Sequence, residues 1–155
     1  MTVVQSIVAS RTLMWHGAGR ACWPDDSVHT SDDVIVNGTS LVHAARSGAT
    51  PLVQIGPAGG LWPREATSVP PFITVVLSRV EEIDLSSTPR HPDVWIDAEI
   101  ARCRPLLSAV RLIGRTSGSP RRRMHLRPGD GSPAGWVRLP ADVGRGDLLV
   151  IPCAG

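Results

Sequence analysis

Apolar positions along this chain fall into short runs separated by clusters of glycine, proline and polar residues, the pattern of many brief strands rather than of long helices. Residues 2–8 (TVVQSIV) alternate loosely and predict a first strand. Trp23-Pro24-Asp25-Asp26 reads as a turn, and Val34-Ile35-Val36 as a short strand ending at Asn37-Gly38. Asn-Gly is a strong hairpin signal, because both central positions of the tight turn need positive φ. Ser40 then offers an N-cap to a helix over 41–46 (LVHAAR), with Gly48 as a left-handed stop. Residues 52–55 (LVQI) form another apolar run, closed by Gly56-Pro57-Ala58-Gly59-Gly60. From there Pro63, Pro70 and Pro71 predict an irregular loop, so that 56–71 reads as a lid or a surface excursion.

The clearest strand is 72–83 (FITVVLSRVEEI), β-branched and partly alternating, with Glu81 and Glu82 at its exit. Residues 93–104 (DVWIDAEIARCR) read two ways. Val94 and Ile96 suit a strand, whereas Ile96, Ile100 and Cys103 have helical spacing. Acidic residues at the start, Arg102 and Arg104 at the end and Pro105 beyond favour the helix. A strand follows from Ala109 to Ile113, and the Gly/Ser/Pro/Arg-rich segment 114–135 predicts a mobile loop. Residues 136–139 (WVRL) and 148–151 (LLVI), the second launched from Gly146-Asp147 and stopped by Pro152, read as the closing hairpin. The sum is a mainly β fold, a small β-barrel or β-rich α+β arrangement with one or two short helices, in a single domain over 1–155.

Composition narrows the chemistry. There are sixteen arginines and no lysine, no tyrosine, one phenylalanine and one asparagine, a bias that points to a GC-rich genome. Without lysine, Schiff-base catalysis and a P-loop lysine are both excluded within this sequence. A net charge of +2 is too small to suggest nucleic acid globally, and the five tryptophans are scattered. The basic residues concentrate at Arg121-Arg122-Arg123, with Arg115, His125 and Arg127 nearby. Cys22, Cys103 and Cys153 form no CxxC pair, which argues for reduced thiols and against a zinc knuckle or a disulfide framework. No leader and no apolar stretch of spanning length is evident, so a cytoplasmic protein without membrane contact is expected.

Candidate chemistry is sparse. His16, His29, His43, His91 and His125 show no metal-ligand spacing; a cluster of His29, Asp32 and His43 could form only in space, and no metal is expected. Ser40 and Ser117 are hydroxyl candidates outside any nucleophile elbow. The Gly56–Gly60 run lacks phosphate-loop spacing. Asp97 with Glu99, or Glu81 with Glu82, would serve as an acid/base pair only if burial raised one pKa. The residues nominated for ligand binding are Trp62, Arg64, Trp95, Asp97, Glu99, Arg115 and Ser117.

Leu139-Pro140, then Gly146-Asp147-Leu148-Leu149-Val150, then Ala154-Gly155 resemble the C-terminal β-domain of fold-type III pyridoxal-phosphate decarboxylases, the ornithine and diaminopimelate decarboxylase family. Residues 74–83, followed by Val94-Trp95-Ile96-Asp97-Ala98, are similar to that family's paired strands ending in Asp-Ala-Gly, and 110–114 lies where its Gly-Pro-x-Cys segment would begin. The resemblance covers 72–155. Ser117 stands where the family has its active-site cysteine, Arg121 where it has an aspartate and Glu99 where it has a glycine; the family's tyrosine and cofactor lysine have no counterpart. What the resemblance implies is therefore a barrel domain without the catalytic equipment and without the cofactor.

Two functions are expected on this basis. One is a small barrel that binds or transforms an apolar metabolite in a Trp-lined pocket gated by the 56–71 loop. The other is a non-catalytic interaction or assembly module whose Arg-rich 115–127 segment meets an acidic partner or a second copy of the chain.

Overall fold

A computed structural model of the chain describes residues 22–58, 72–86 and 90–155. The strand expected over 2–8 lies outside the described residues, as does most of the 56–71 loop.

The fold is mainly β, with one α-helix among the described residues. β1 (Val28–His29), β2 (Val34–Val36) and β3 (Thr39–Ser40) form a small antiparallel sheet. Asn37 and Gly38 turn β2 into β3 with φ of 51° and 74°, as the Asn-Gly pair predicts. The chain passes directly into α1 (Leu41–Ser47), whose N-cap is Ser40: its hydroxyl accepts from the His43 N–H. Gly48 closes the helix by donating its N–H to the Ala44 carbonyl, but its φ of −144° is extended rather than left-handed. The helix therefore ends with the chain leaving in an extended conformation toward Pro51 and β4.

β4 (Leu52–Pro57), β5 (Phe72–Asp84), β6 (Asp93–Ile96), β7 (Arg111–Ile113), β8 (Arg121–Arg127), β9 (Gly135–Pro140) and β10 (Leu148–Cys153) make the large sheet, ordered β7-β10-β5-β6-β8-β9, with β4 also on β5. It curls into a half-barrel, antiparallel throughout except for β6 on β8.

β5 and β10 carry the architecture. Alternate residues of each face opposite ways: Val76, Val80, Leu149 and Ile151 enter the core on the concave side, while Ile73, Val75, Leu77, Leu148 and Val150 enter a second core with Trp23, Val34, Val36 and Leu41. A strand buried on both faces reads as a continuous apolar run, which accounts for LLVI. Every residue of β10 is buried.

Three expectations need correction. Residues 93–104 are not a helix: β6 occupies Asp93–Ile96, and turns follow. Val94 and Ile96 are both fully buried at strand spacing, and β6 has a pairing strand on each side, so ladder bonds replace helical ones. Arg104, with φ of 49°, interrupts any helical continuation. Second, the segment 114–135 is not all loop. It contains β8, where Met124 and Leu126 supply two buried positions among the arginines. Third, 136–139 and 148–151 are strands but not a hairpin: β9 pairs with β8, and β10 sits between β5 and β7.

The cysteines also differ from expectation. A disulfide joins Cys103 to Cys153, Cα atoms 5.4 Å apart, across 50 residues of sequence. Backbone bonds from Ala154 N to the Arg104 carbonyl (3.1 Å) and from Leu106 N to the Pro152 carbonyl (2.8 Å) bring the two segments together. Cys22 is free, and burial pushes its thiol pKa up.

Candidate functional site

β7 places an arginine inside an apolar run. Arg111 is 5% exposed between Val110 and Leu112, and a buried guanidinium requires partners. It donates to the Thr30 carbonyl at 2.8 Å, to the Asp33 carbonyl at 3.4 Å and to His29 Nδ1 at 3.0 Å, tying the turn between β1 and β2 to the large sheet. Burial, reinforced by the nearby Arg121 charge and opposed by Asp33 and Asp32, pushes its pKa down to about 10.

Beside Arg111 lies an open groove of about 290 Å³, with a wall formed by Arg115, Thr116, Ser117, Ser119 and Arg121, completed by Ser31, Leu112 and Pro140. Arg121 begins β8 and is exposed. Arg115 reaches across to the β9–β10 connection: Nε and Nη2 donate to the two Asp147 carboxylate oxygens at 2.9 and 2.7 Å, and Nη1 to Asp142 at 3.1 Å. This forked geometry is the one guanidinium and carboxylate favour, and it holds the Arg115 pKa above its ordinary value. Ser117 donates to the other Asp142 oxygen at 2.6 Å and accepts the Ser119 N–H. The groove thus brings three guanidinium groups and four hydroxyl side chains to one surface, and two aspartates restrain Arg115 and Ser117 within it.

Of the residues nominated from sequence, Arg115 and Ser117 share this groove. Trp95 and Asp97 lie outside it. Trp95 is on the convex face, where it lines a shallow depression with Glu81, Glu82, Ile83 and Arg145. Asp97 turns back to β5, accepting from the hydroxyls of Thr50 and Ser78 and from the Arg79 N–H. Glu99 is exposed, and Trp62 and Arg64 lie outside the described residues. Arg111 and Arg121 were not nominated. For Arg111 the signal was there, a single charge inside the apolar run AVRLI; for Arg121 the signal was only the arginine triplet.

No group of three or more His, Cys, Asp or Glu among the described residues could hold a metal ion. Nor is any helix among them long and apolar enough to cross a membrane.

No family model matches the sequence, and no curated protein matches it. Among solved structures, the X-ray structure of the Paramecium bursaria Chlorella virus arginine decarboxylase is similar at a TM-score of 0.40 and 15% identity. The match takes in 53% of this chain and 24% of that one, so the chain spans about a quarter of the decarboxylase's length. This is a weak structural resemblance. A half-barrel of this kind is compatible with small-molecule binding.

Proposed function

We propose that the protein binds a small anionic metabolite, carrying a phosphate or carboxylate group, in the groove between β7 and β8. The observation that carries this reading is the convergence of Arg111, Arg115 and Arg121 on one groove whose remaining polar wall is hydroxyl groups. Burial is the main reason that the Arg111 pKa is lowered, and the nearby charge of the exposed Arg121 adds to it. An anion in the groove offsets that like charge and accepts hydrogen bonds from the Arg121 guanidinium and from serine hydroxyls, while Arg111, whose terminal nitrogens donate to Thr30, Asp33 and His29, contributes charge. The lining is polar where the sequence favoured an apolar ligand, and Leu112 and Pro140 leave room for only a small apolar portion.

On this reading the chain is a binding protein. Arg115 and Ser117 act as positioning residues, since Asp142 and Asp147 already occupy their donors. Residues 72–155 would be a barrel domain of the decarboxylase type without its chemistry, a reading supported by Leu139-Pro140 and the Gly146–Val150 motif.

The test is a titration with inorganic phosphate at low ionic strength, read by thermal unfolding and by calorimetry. Saturating ligand raises the unfolding free energy by about 2–3 kcal/mol at a hundredfold excess over Kd. The shift should vanish in Arg121→Ala, a substitution at an exposed position. No stabilisation of the wild type, or an equal shift in Arg121→Ala, would overturn the reading.

A further inference from the structure

Arg115 lines the groove and also a second pocket, of about 220 Å³, between α1 and the start of β10. Val42, Ala45 and Arg46 stand at i, i+3 and i+4 on one face of α1 and supply one wall. Arg79 of β5 supplies another, and the buried Ala45, Ile113 and Leu148 make the apolar part. Backbone bonds fix the rim. The Val80 N–H donates to the Asp147 carbonyl and the Gly146 N–H to the Val80 carbonyl, both at 2.8 Å, which ties the β9–β10 connection to β5 beside Arg79.

Positive charge in this pocket is not matched. Asp147 is the one carboxylate among the lining residues, and Arg115 already donates to both of its oxygens through Nε and Nη2. Arg46 and Arg79 form no ion pair among the described residues. Arg79 donates from Nη1 to the Gly146 carbonyl at 3.1 Å, which leaves Nε and Nη2 to serve another acceptor. Arg115 with Asp142 and Asp147 is a different case: one guanidinium between two carboxylates carries a net negative charge. That triad lies where the groove and the pocket meet, so two places rich in unmatched arginine flank one that is not.

The groove being an anion site, as proposed above, we infer that its ligand carries two anionic groups joined by a neutral chain. One group sits in the groove on Arg121 and the serine hydroxyls, and the other in this pocket on Arg46 and Arg79. The chain crosses the Arg115 triad, whose negative charge excludes a third anionic group there. With two guanidinium groups beside an aspartate, the pocket alone is the weaker of the two places. A ligand already anchored in the groove fills it at a high effective concentration.

Calorimetry with inorganic phosphate and with a series of α,ω-alkanediphosphonates, from ethane to octane, tests this. One diphosphonate should bind per chain, with affinity peaking at one chain length and there exceeding that of phosphate by about tenfold or more. Charge alone would raise every member alike. Arg46→Ala and Arg79→Gln should each remove the gain and leave phosphate binding unchanged, since neither residue lines the groove. Arg121→Ala should abolish phosphate binding and weaken every diphosphonate. Circular dichroism checks each fold. Affinity that is flat across the series, or a gain that survives in both Arg46→Ala and Arg79→Gln, would overturn the inference; the groove reading would still stand if phosphate required Arg121. Absence of phosphate binding to the wild type would remove the groove reading and this inference with it.

Discussion

Asp97 offers the sharpest test of how β5 and β6 are held together. β5 carries a register shift between Val80 and Glu82, where its pairing with β6 is interrupted. Just before the shift, the Arg79 N–H points at the Asp97 carboxylate (2.8 Å), and the fully buried Ser78 hydroxyl joins it at 2.9 Å. The Thr50 hydroxyl completes the set from the residue that precedes β4. The carboxylate therefore replaces a missing strand partner and links three segments distant in sequence. Asp97→Ala strands the Ser78 hydroxyl and the Arg79 N–H without an acceptor. Each bond to a charged group is worth about 1.5–3 kcal/mol, so with some water entry the loss should be about 3–4 kcal/mol. Asp97→Asn keeps one oxygen for Ser78 and Arg79, and the Thr50 hydroxyl can rotate to accept from the new amide, so about 1 kcal/mol is expected. Urea unfolding with linear extrapolation measures both, and a double-mutant cycle with Ser78→Ala isolates the pair, with a coupling of about 1 kcal/mol or more. If Asp97→Ala costs no more than Asp97→Asn, or the cycle shows no coupling, the carboxylate is not acting as a strand partner and the account is wrong.

Two further outcomes follow from the same structure. Closing a loop across 50 residues, the Cys103–Cys153 disulfide should contribute about 4 kcal/mol by restricting the unfolded chain; the measurement is the urea midpoint of Cys153→Ser, or of the wild type under reductant, against the oxidised protein. Unchanged midpoints would show that the bond adds nothing. The second concerns acid. The Asp142 carboxyl is held below its usual pKa first by the Ser117 hydroxyl and then by Arg115; for Asp147, burial works the other way but Arg115 and the Gly144 N–H prevail. Carboxylates with depressed folded pKa values stabilise above the unfolded value near about 4, and lose that contribution as pH falls through the folded one. Stability should therefore fall on acidification below about pH 4, and Arg115→Ala should flatten that limb in pH-dependent thermal unfolding; an unaltered slope would refute the assignment.

Local chemistry made several elements legible in the sequence. Asn37-Gly38 specified its turn because only residues tolerant of positive φ fit there, and Ser40 specified its helix start because its hydroxyl caps within three residues. The β-rich class, the strand at β5 and the apolar run of β10 followed from residue type, since branched side chains in unbroken runs suit strands buried on both faces. Pairing was beyond its reach. Val94 and Ile96 took a strand over the helical reading because β5 and β8 were present on either side, and β10 left β9 for β5 and β7 because both cores needed its two faces. The same holds for the site. Arg115 and Ser117 were visible as polar residues after a strand, but their aspartate partners lie 25 or more positions away and their groove depends on Arg111 and Arg121 arriving from separate strands. Turns and caps are closed within a few residues, so sequence determines them; sheet order, the disulfide and the groove depend on which distant surfaces bury each other, and only the tertiary structure decides that.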